Sequence, residues 1–150
     1  MINLKSYKGI WFYGLSGSGK TSLSNFLKYK IKNFIVLDGD EIRKFVSTDL
    51  GYSKKDREIQ INRIFGIAKI SIKSKKFPII STVYFNKNLK NKCLRVKILP
   101  IKIVRRNFKN VIKKHKTYKN KDNVVGKDIQ YENFKTKVLY NDNTKKFFKI

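Results

Sequence analysis

Residues Gly14-Leu15-Ser16-Gly17-Ser18-Gly19-Lys20-Thr21 follow the apolar run Ile10-Trp11-Phe12-Tyr13 and lead into a helix-compatible stretch from Ser22 to Lys32. This is the complete phosphate-loop pattern in its expected setting, a strand before it and a helix after it. Glycines allow successive backbone N–H groups to point into one concavity that fits an anion. Lys20 is placed to reach outer phosphates and the Thr21 hydroxyl to meet a magnesium ion. The helix starting near Lys20 adds its positive end to the same spot. Gly14, Ser16, Gly17, Ser18, Gly19, Lys20, Thr21 and Ser22 are therefore the expected ATP-binding residues.

Outward from that loop, hydrophobic periodicity predicts strands alternating with helices. A strand at about 8–13 and a helix at about 20–32 are followed by a short strand, Phe34 to Leu37, that runs into Asp38-Gly39-Asp40. Glu41 to Val46 reads as a short helix and Asp56 to Lys73 as a longer one, with Ile59, Ile64 and Ile72 among its recurring apolar positions. Phe77 to Val83 and Leu94 to Leu99 read as strands. Pro100 is then expected to open a helix through about His115. Residues 116–136 read as irregular, and Lys137 to Tyr140 as a last strand. This order predicts an α/β, P-loop NTPase three-layer sandwich: a parallel sheet with helices on both faces. The sequence is expected to be one domain over residues 1–150. Ligands of such a sheet lie beyond the carboxyl ends of its strands. The phosphate loop, Asp38-Gly39-Asp40 and Ser81 to Tyr84 are thereby expected at one crevice.

The formal charge is +26, from 36 Lys and Arg against 10 Asp and Glu. Lys (30), Ile (19) and Asn (14), whose codons need only A and T, are abundant, whereas Arg occurs six times. An AT-rich coding sequence accounts for scattered lysines, so nucleic acid is not the expected partner, although 105–121 is densely basic. The same field would steer a small polyanion. No apolar run of about 20 residues is present, and Met1-Ile2-Asn3-Leu4-Lys5 has no signal-type core, so a cytoplasmic protein without membrane association is expected. One cysteine (Cys93) and one histidine (His115) leave no disulfide, thiolate cluster or histidine metal site. Trp11 and Phe12 read as core packing.

Beyond the loop, Asp38-Gly39-Asp40-Glu41-Ile42-Arg43, Asp49-Leu50-Gly51-Tyr52-Ser53, Asp56-Arg57, Ile61, Arg63-Ile64 and Ala68-Lys69 resemble the adenylyl-sulfate kinase (APS kinase) family. Val125-Gly126-Lys127-Asp128 and Tyr131-Glu132 resemble that family's substrate lid, expected here at about 107–134. The resemblance implies ATP- and Mg²⁺-dependent phosphorylation of the 3′-hydroxyl of adenosine 5′-phosphosulfate. Asp40, Lys20 and Asp38 would be catalytic, with Thr21 and Asp38 toward the metal; which aspartate ligates it stays open. Asp40, Arg43, Tyr52, Arg57, Gln60, Ser81, Tyr84, Lys109 and Val124 would form the acceptor site. A homodimer is also implied, as members often pair.

Departures from the family pattern bear on the acceptor. Gln60 replaces an asparagine, Asn62 an arginine, and Ser81-Thr82-Val83-Tyr84-Phe85-Asn86-Lys87 a Ser-x-x-Ser-Pro-Tyr-Arg segment. Tyr52 keeps one wall of the family's adenine sandwich, while Val124 stands where the second ring is expected. The stretch Arg106 to Lys113 matches the lid's basic segment only loosely. Two rival readings follow: the same reaction on another acceptor, such as a cytidine diphosphoramidate in surface-polysaccharide modification, or a catalytically weak nucleotide- and RNA-binding protein.

Overall fold

The computed structural model describes residues 3–106, 113, 118, 119 and 122–142. Strand β1 (Gly9–Tyr13) enters the phosphate loop, and helix α1 (Lys20–Lys28) leaves it. Next come β2 (Phe34–Asp38), α2 (Gly39–Phe45), α3 (Lys54–Lys73), β3 (Phe77–Thr82), α4 (Lys87–Arg95), β4 (Ile98–Arg105) and β5 (Lys137–Asn141). The sheet order is β2-β3-β1-β4-β5, and every pairing is parallel.

Side chains of a strand alternate between faces, and β1 shows what that does here. Ile10 and Phe12 join Leu23 and Leu27 of α1 on one face; Trp11 and Tyr13 join Ile61, Ile64, Phe85 and Leu89 on the other. All five β1 residues are buried, so the sheet is the middle of three layers. Each large side chain buried this way contributes about 1.5–3 kcal/mol. Trp11 is no orphaned donor, since its indole N–H donates to Thr82 Oγ1 at 2.8 Å. The expected α/β sandwich is the observed one.

Helix α3 begins two residues before the expected Asp56, because Ser53 and Asp56 form a capping box, each serving the other's backbone N–H. The region from 86 to 105 differs from expectation. Leu94 belongs to α4, not to a strand, and Pro100 lies inside β4 rather than at a helix start. Helix α4 buries only Leu89 and Cys93, so its apolar signal is too sparse to read as helical periodicity. Pro100 is tolerated because its carbonyl faces Thr136 Oγ1 (3.4 Å), on the side where pairing with β5 starts only at Ile101. N–H and C=O of one residue point to the same side of a parallel ladder, so the missing N–H has no β5 carbonyl to meet. Most of the expected 100–115 helix beyond Arg106, His115 included, lies outside the described residues.

Parallel strands put all five carboxyl ends together. The phosphate loop, the start of α2 and the residues after Thr82 meet there, as topology requires.

Candidate active site

On one wall of the crevice the phosphate loop is built from glycine geometry. Gly14, Gly17 and Gly19 all have positive φ (152°, 80° and 102°). A Cβ on Gly14 would lie 2.3 Å from the Ile103 carbonyl oxygen, so the loop can hug β4 only without a side chain there. Gly19 occupies the N-cap of α1 in the left-handed region and makes no side-chain cap, leaving the first-turn amides to an incoming anion. The loop's outward carbonyls are held from elsewhere. Arg105 Nη1 donates to Gly17 O (3.1 Å), Asn141 Nδ2 to Ser18 O (2.9 Å) and Tyr118 OH to Ser16 O (3.2 Å).

Lys20 is 8% exposed and folds back to donate to Gly14 O (2.8 Å) and Leu15 O (2.9 Å). Burial pulls its ammonium down to about 8, and the Asp40 and Asp38 carboxylates oppose that fall. Asp38 caps α2, its Oδ1 accepting from the Asp40 N–H at 2.9 Å. Asp40 stays exposed in the first turn of α2.

Opposite lies a wall of two arginines on one ring. The guanidinium carbons of Arg43 and Arg57 stand 4.7 and 5.5 Å from the Tyr52 ring centroid. Arg43 donates to the carbonyls of Gly51 and Leu50, and Arg57 to Tyr52 O (3.1 Å) and Asn123 O (2.8 Å). Burial, and then the nearby Arg43 charge, lower the Arg57 guanidinium; Tyr131, Tyr52 and Asp40 pull it back. Arg57 makes no ion pair with its neighbours Asp56 or Glu58 among the described contacts. A cavity of about 620 Å³ is lined by Ser16 from the loop, by Asp40, Arg43, Tyr52 and Arg57, and by Val124. Asp40 shares this cavity with Ser16 of the phosphate loop and with both arginines.

Residues 122–125 roof this cavity. Gly126 has φ 88°, and a Cβ there would come 2.5 Å from Leu15 Cδ2, so this segment packs directly on the phosphate loop. Asp128 Oδ2 accepts from the Val124 N–H (2.9 Å), Tyr131 OH donates to Val83 O, and Glu132 Oε2 accepts from the Lys87 N–H at the start of α4 (2.8 Å). Tyr131 and Phe134 lie 6.1 and 6.2 Å from the Tyr13 ring, which itself stacks on Phe85 at 4.3 Å.

Of the residues expected from sequence, the structure brings Asp40, Arg43, Tyr52, Arg57 and Val124 to one cavity. Gln60 and Tyr84 line a smaller recess beside it. Gln60 is 3% exposed; its Nε2 donates to Gly39 O (3.0 Å), which turns Oε1 the other way, buried and without a partner. Tyr84 OH donates to Glu58 Oε1 (3.2 Å), and burial pushes the phenol up to about 12. Ser81 is not brought to the group: its hydroxyl meets Ser24 Oγ of α1 at 2.8 Å, on the other face of the sheet. Lys109 lies outside the described residues. Sequence reasoning missed Arg105, Tyr118 and Asn141 as clamps on the loop. The scarcity of arginine in a lysine-rich chain was the available signal for Arg105. No comparable signal marked the other two.

The described residues include no group of three or more Asp, Glu, His or Cys able to cage a metal ion. Thr21 lies in the first turn of α1, and Asp38 ends β2 with Asp40 just after it at the same carboxyl end of the sheet, an all-oxygen donor set of the kind magnesium takes together with water and phosphate oxygens. Among the described residues no helix is long and apolar enough to cross a membrane.

A parallel sheet with a phosphate loop leaving its first strand defines a P-loop NTPase fold. Within that class the sequence profile of the Adenylylsulphate kinase family matches residues 7–133, and the chain belongs to that family. Curated relatives include adenylyl-sulfate kinases of Prochlorococcus marinus, 49% identical over 65 residues, and Buchnera aphidicola, 39% identical over 87 residues. These alignments take in 41% and 55% of this chain and 32% and 41% of the relatives, so the chain spans less than half the length of the curated proteins it matches. Among solved structures, the Mycobacterium tuberculosis APS kinase CysC in complex with AMPPNP and APS superposes with a TM-score of 0.79. The superposition covers 93% of this chain and 91% of that one at 23% identity, which speaks to the fold.

Proposed function

We propose that this chain transfers the γ-phosphoryl group of ATP to the 3′-hydroxyl of adenosine 5′-phosphosulfate, forming 3′-phosphoadenylyl sulfate and ADP. The observation that carries the reading is one cavity lined by Ser16 of the phosphate loop, by Asp40 and by Arg43 and Arg57. Phosphoryl transfer needs donor and acceptor held in line, with charge neutralised around the moving group.

In this reading the loop amides and Lys20 hold the β- and γ-phosphates, and Lys20 exchanges its contacts with Gly14 O and Leu15 O for phosphate oxygens. Thr21 and Asp38 would hold magnesium, which supplies charge neutralisation on the phosphates when bound. Arg43 and Arg57 grip the acceptor's anionic linkage through their forks, and Tyr52 offers a face to its base. Asp40 orients the 3′-hydroxyl and takes its proton as the oxygen–phosphorus bond forms and the bond to the β-phosphate oxygen breaks. Residues 107–134 act as the lid, within a single kinase domain, and exclude water from the transfer.

A second reading keeps the reaction and changes the acceptor. Val124 lines the cavity without supplying a second ring, and Gln60 lines the recess beside it. An aromatic wall is worth about 1–3 kcal/mol in base-stacking sites, so its loss relaxes the choice of base. ADP release with MgATP against adenylyl sulfate and against a cytidine diphosphoramidate separates the two, with Asp40→Ala as the control. Turnover of adenylyl sulfate that vanishes in the mutant is expected. Turnover of the cytidine compound alone would move the protein to the second reading, and silence with both would refute the kinase reading.

A further inference from the structure

The two ends of the sheet differ in charge: the crevice end mixes carboxylates with cations, and the amino end carries cations. All ten carboxylate side chains belong to residues 38–58 or 122–142. Asp38 caps α2, Glu58 meets Tyr84, Asp128 holds Val124 and Glu132 accepts from the Lys87 N–H, while Asp49 pairs with Arg63 and Asp56 closes the α3 capping box. At the amino end every strand is entered past an exposed cation: Lys8 before β1, Lys32 before β2, Lys76 before β3, Lys97 before β4 and Lys135 before β5. This end lies a full sheet length from the phosphate loop.

One part of it is concave. Lys8, Lys69, Lys73, Arg95 and Lys97 rim a cavity of about 290 Å³ floored by Ile72 and Val96. The rim is pinned, since the Lys8 N–H donates to Lys97 O at 2.7 Å. Ile70 and Leu94, adjoining Lys69 and Arg95 in sequence, are 66% and 45% exposed.

An AT-rich coding bias explains many lysines but not their positions. Lys75 and Lys97 turn the loops into β3 and β4 with φ of 56° and 60°, in a region Gly or Asn adopts at lower cost. Asparagine has equally AT-rich codons, and Asn33 fills the matching turn before β2 with φ 52°. Lysine at the other two turns keeps charge where backbone strain favours its replacement.

We propose that this cationic end is a second binding surface, for a single-stranded nucleic acid whose phosphates meet the lysine rim and one of whose bases enters the Ile72–Val96 floor. A recessed apolar floor inside a charged rim suits an unstacked base. An anionic membrane would instead be met by the exposed Ile70 and Leu94 and would leave the recessed floor unfilled, an outcome the vesicle arm of the test reads. The surface is separate from the crevice and does not depend on the kinase reading.

The test is fluorescence anisotropy of a labelled 20-nucleotide single-stranded RNA with the full chain, across salt concentrations. Five phosphate contacts predict affinity falling roughly 100-fold between about 50 and 200 mM salt. Replacing Lys8, Lys69, Lys73, Arg95 and Lys97 together by Gln should weaken binding at least tenfold more than the same change at Lys54, Lys55, Lys87, Lys119 and Lys127. Replacing the four rim lysines by Arg should preserve binding, which separates lost charge from lost fold. Equal losses in the two Gln variants would overturn the proposal, as would binding to phosphatidylserine vesicles without binding to the strand. Because the readout is strand binding alone, failure of kinase turnover leaves this outcome intact, and the reverse also holds.

Discussion

The two walls of the crevice are made in different ways. The phosphate-loop wall comes from eight consecutive residues whose glycines determine its shape, with Lys20 already inside it. The arginine wall is assembled from α2, the loop carrying Tyr52, α3 and a carbonyl at Asn123, 66 residues away from Arg57. A contiguous site takes its shape from local backbone geometry, and distant side chains only brace it. An assembled site depends on the packing of every element that supplies it. Perturbing each wall should therefore give different signatures.

The largest effect should come from Lys20→Ala. It removes the cation from the phosphate-loop wall and should lower kcat by about 10²–10³, the scale of losing one preorganised charge-stabilising group. ADP-release kinetics check this, and wild-type turnover in the mutant would remove Lys20 from the transfer. Next, Arg57→Lys keeps the charge but cannot reach Tyr52 O and Asn123 O together. Acceptor kcat/KM should fall about 10- to 100-fold, as for hydrogen bonds to charged groups worth 1.5–3 kcal/mol. ATP affinity measured calorimetrically should stay as it is; a parallel loss would mean the two walls are one unit.

Gly126→Ala tests the joint between the walls. Its φ of 88° and the 2.5 Å approach to Leu15 should cost about 1–3 kcal/mol in urea unfolding. It should also weaken ATP binding through Leu15; unchanged stability would mean that the roof does not rest on the loop. The smallest effect is on pH. Burial lowers the Lys20 ammonium from its ordinary 10.5 to about 8, so the free protein loses that charge as pH rises through about 8. ATP affinity should fall at most about tenfold from pH 8 to pH 9, the limit for one proton, and Lys20→Met should be flat there. Stability moves the other way. Between about 8 and 10.5 the unfolded chain binds more protons at Lys20 than the folded one, so wild type should gain stability relative to Lys20→Met as pH rises.

Arginine usage shows how much of the arginine wall was legible. In a chain with six arginines among 36 basic residues, Arg43, Arg57 and Arg105 each bond backbone carbonyls and Arg63 pairs bidentately with Asp49. Arg43 and Arg57 could be named from their motifs. What they hold in the absence of ligand could not, because Gly51 O and Asn123 O are supplied by folding. Ser81 was misplaced for a related reason: position at a strand's carboxyl end does not say which face a side chain takes. The segment 86–105 was misread because Leu89 and Cys93 are too few apolar positions to declare a helix, while Leu94 to Leu99 looks continuous and strand-like.

By itself the sequence determined the parallel α/β class, the phosphate loop, the helix start near Lys20 and the core character of β1. Each of these follows from local backbone preference or from side-chain periodicity. The tertiary structure decided which carbonyls restrain the arginines, that Gln60 leaves an oxygen unpaired, and that Arg105, Tyr118 and Asn141 brace the loop. It also decided that the carboxylates stay away from the amino end of the sheet, where exposed lysines precede every strand. Those outcomes depend on which distant segments lie side by side, and no local propensity encodes that adjacency.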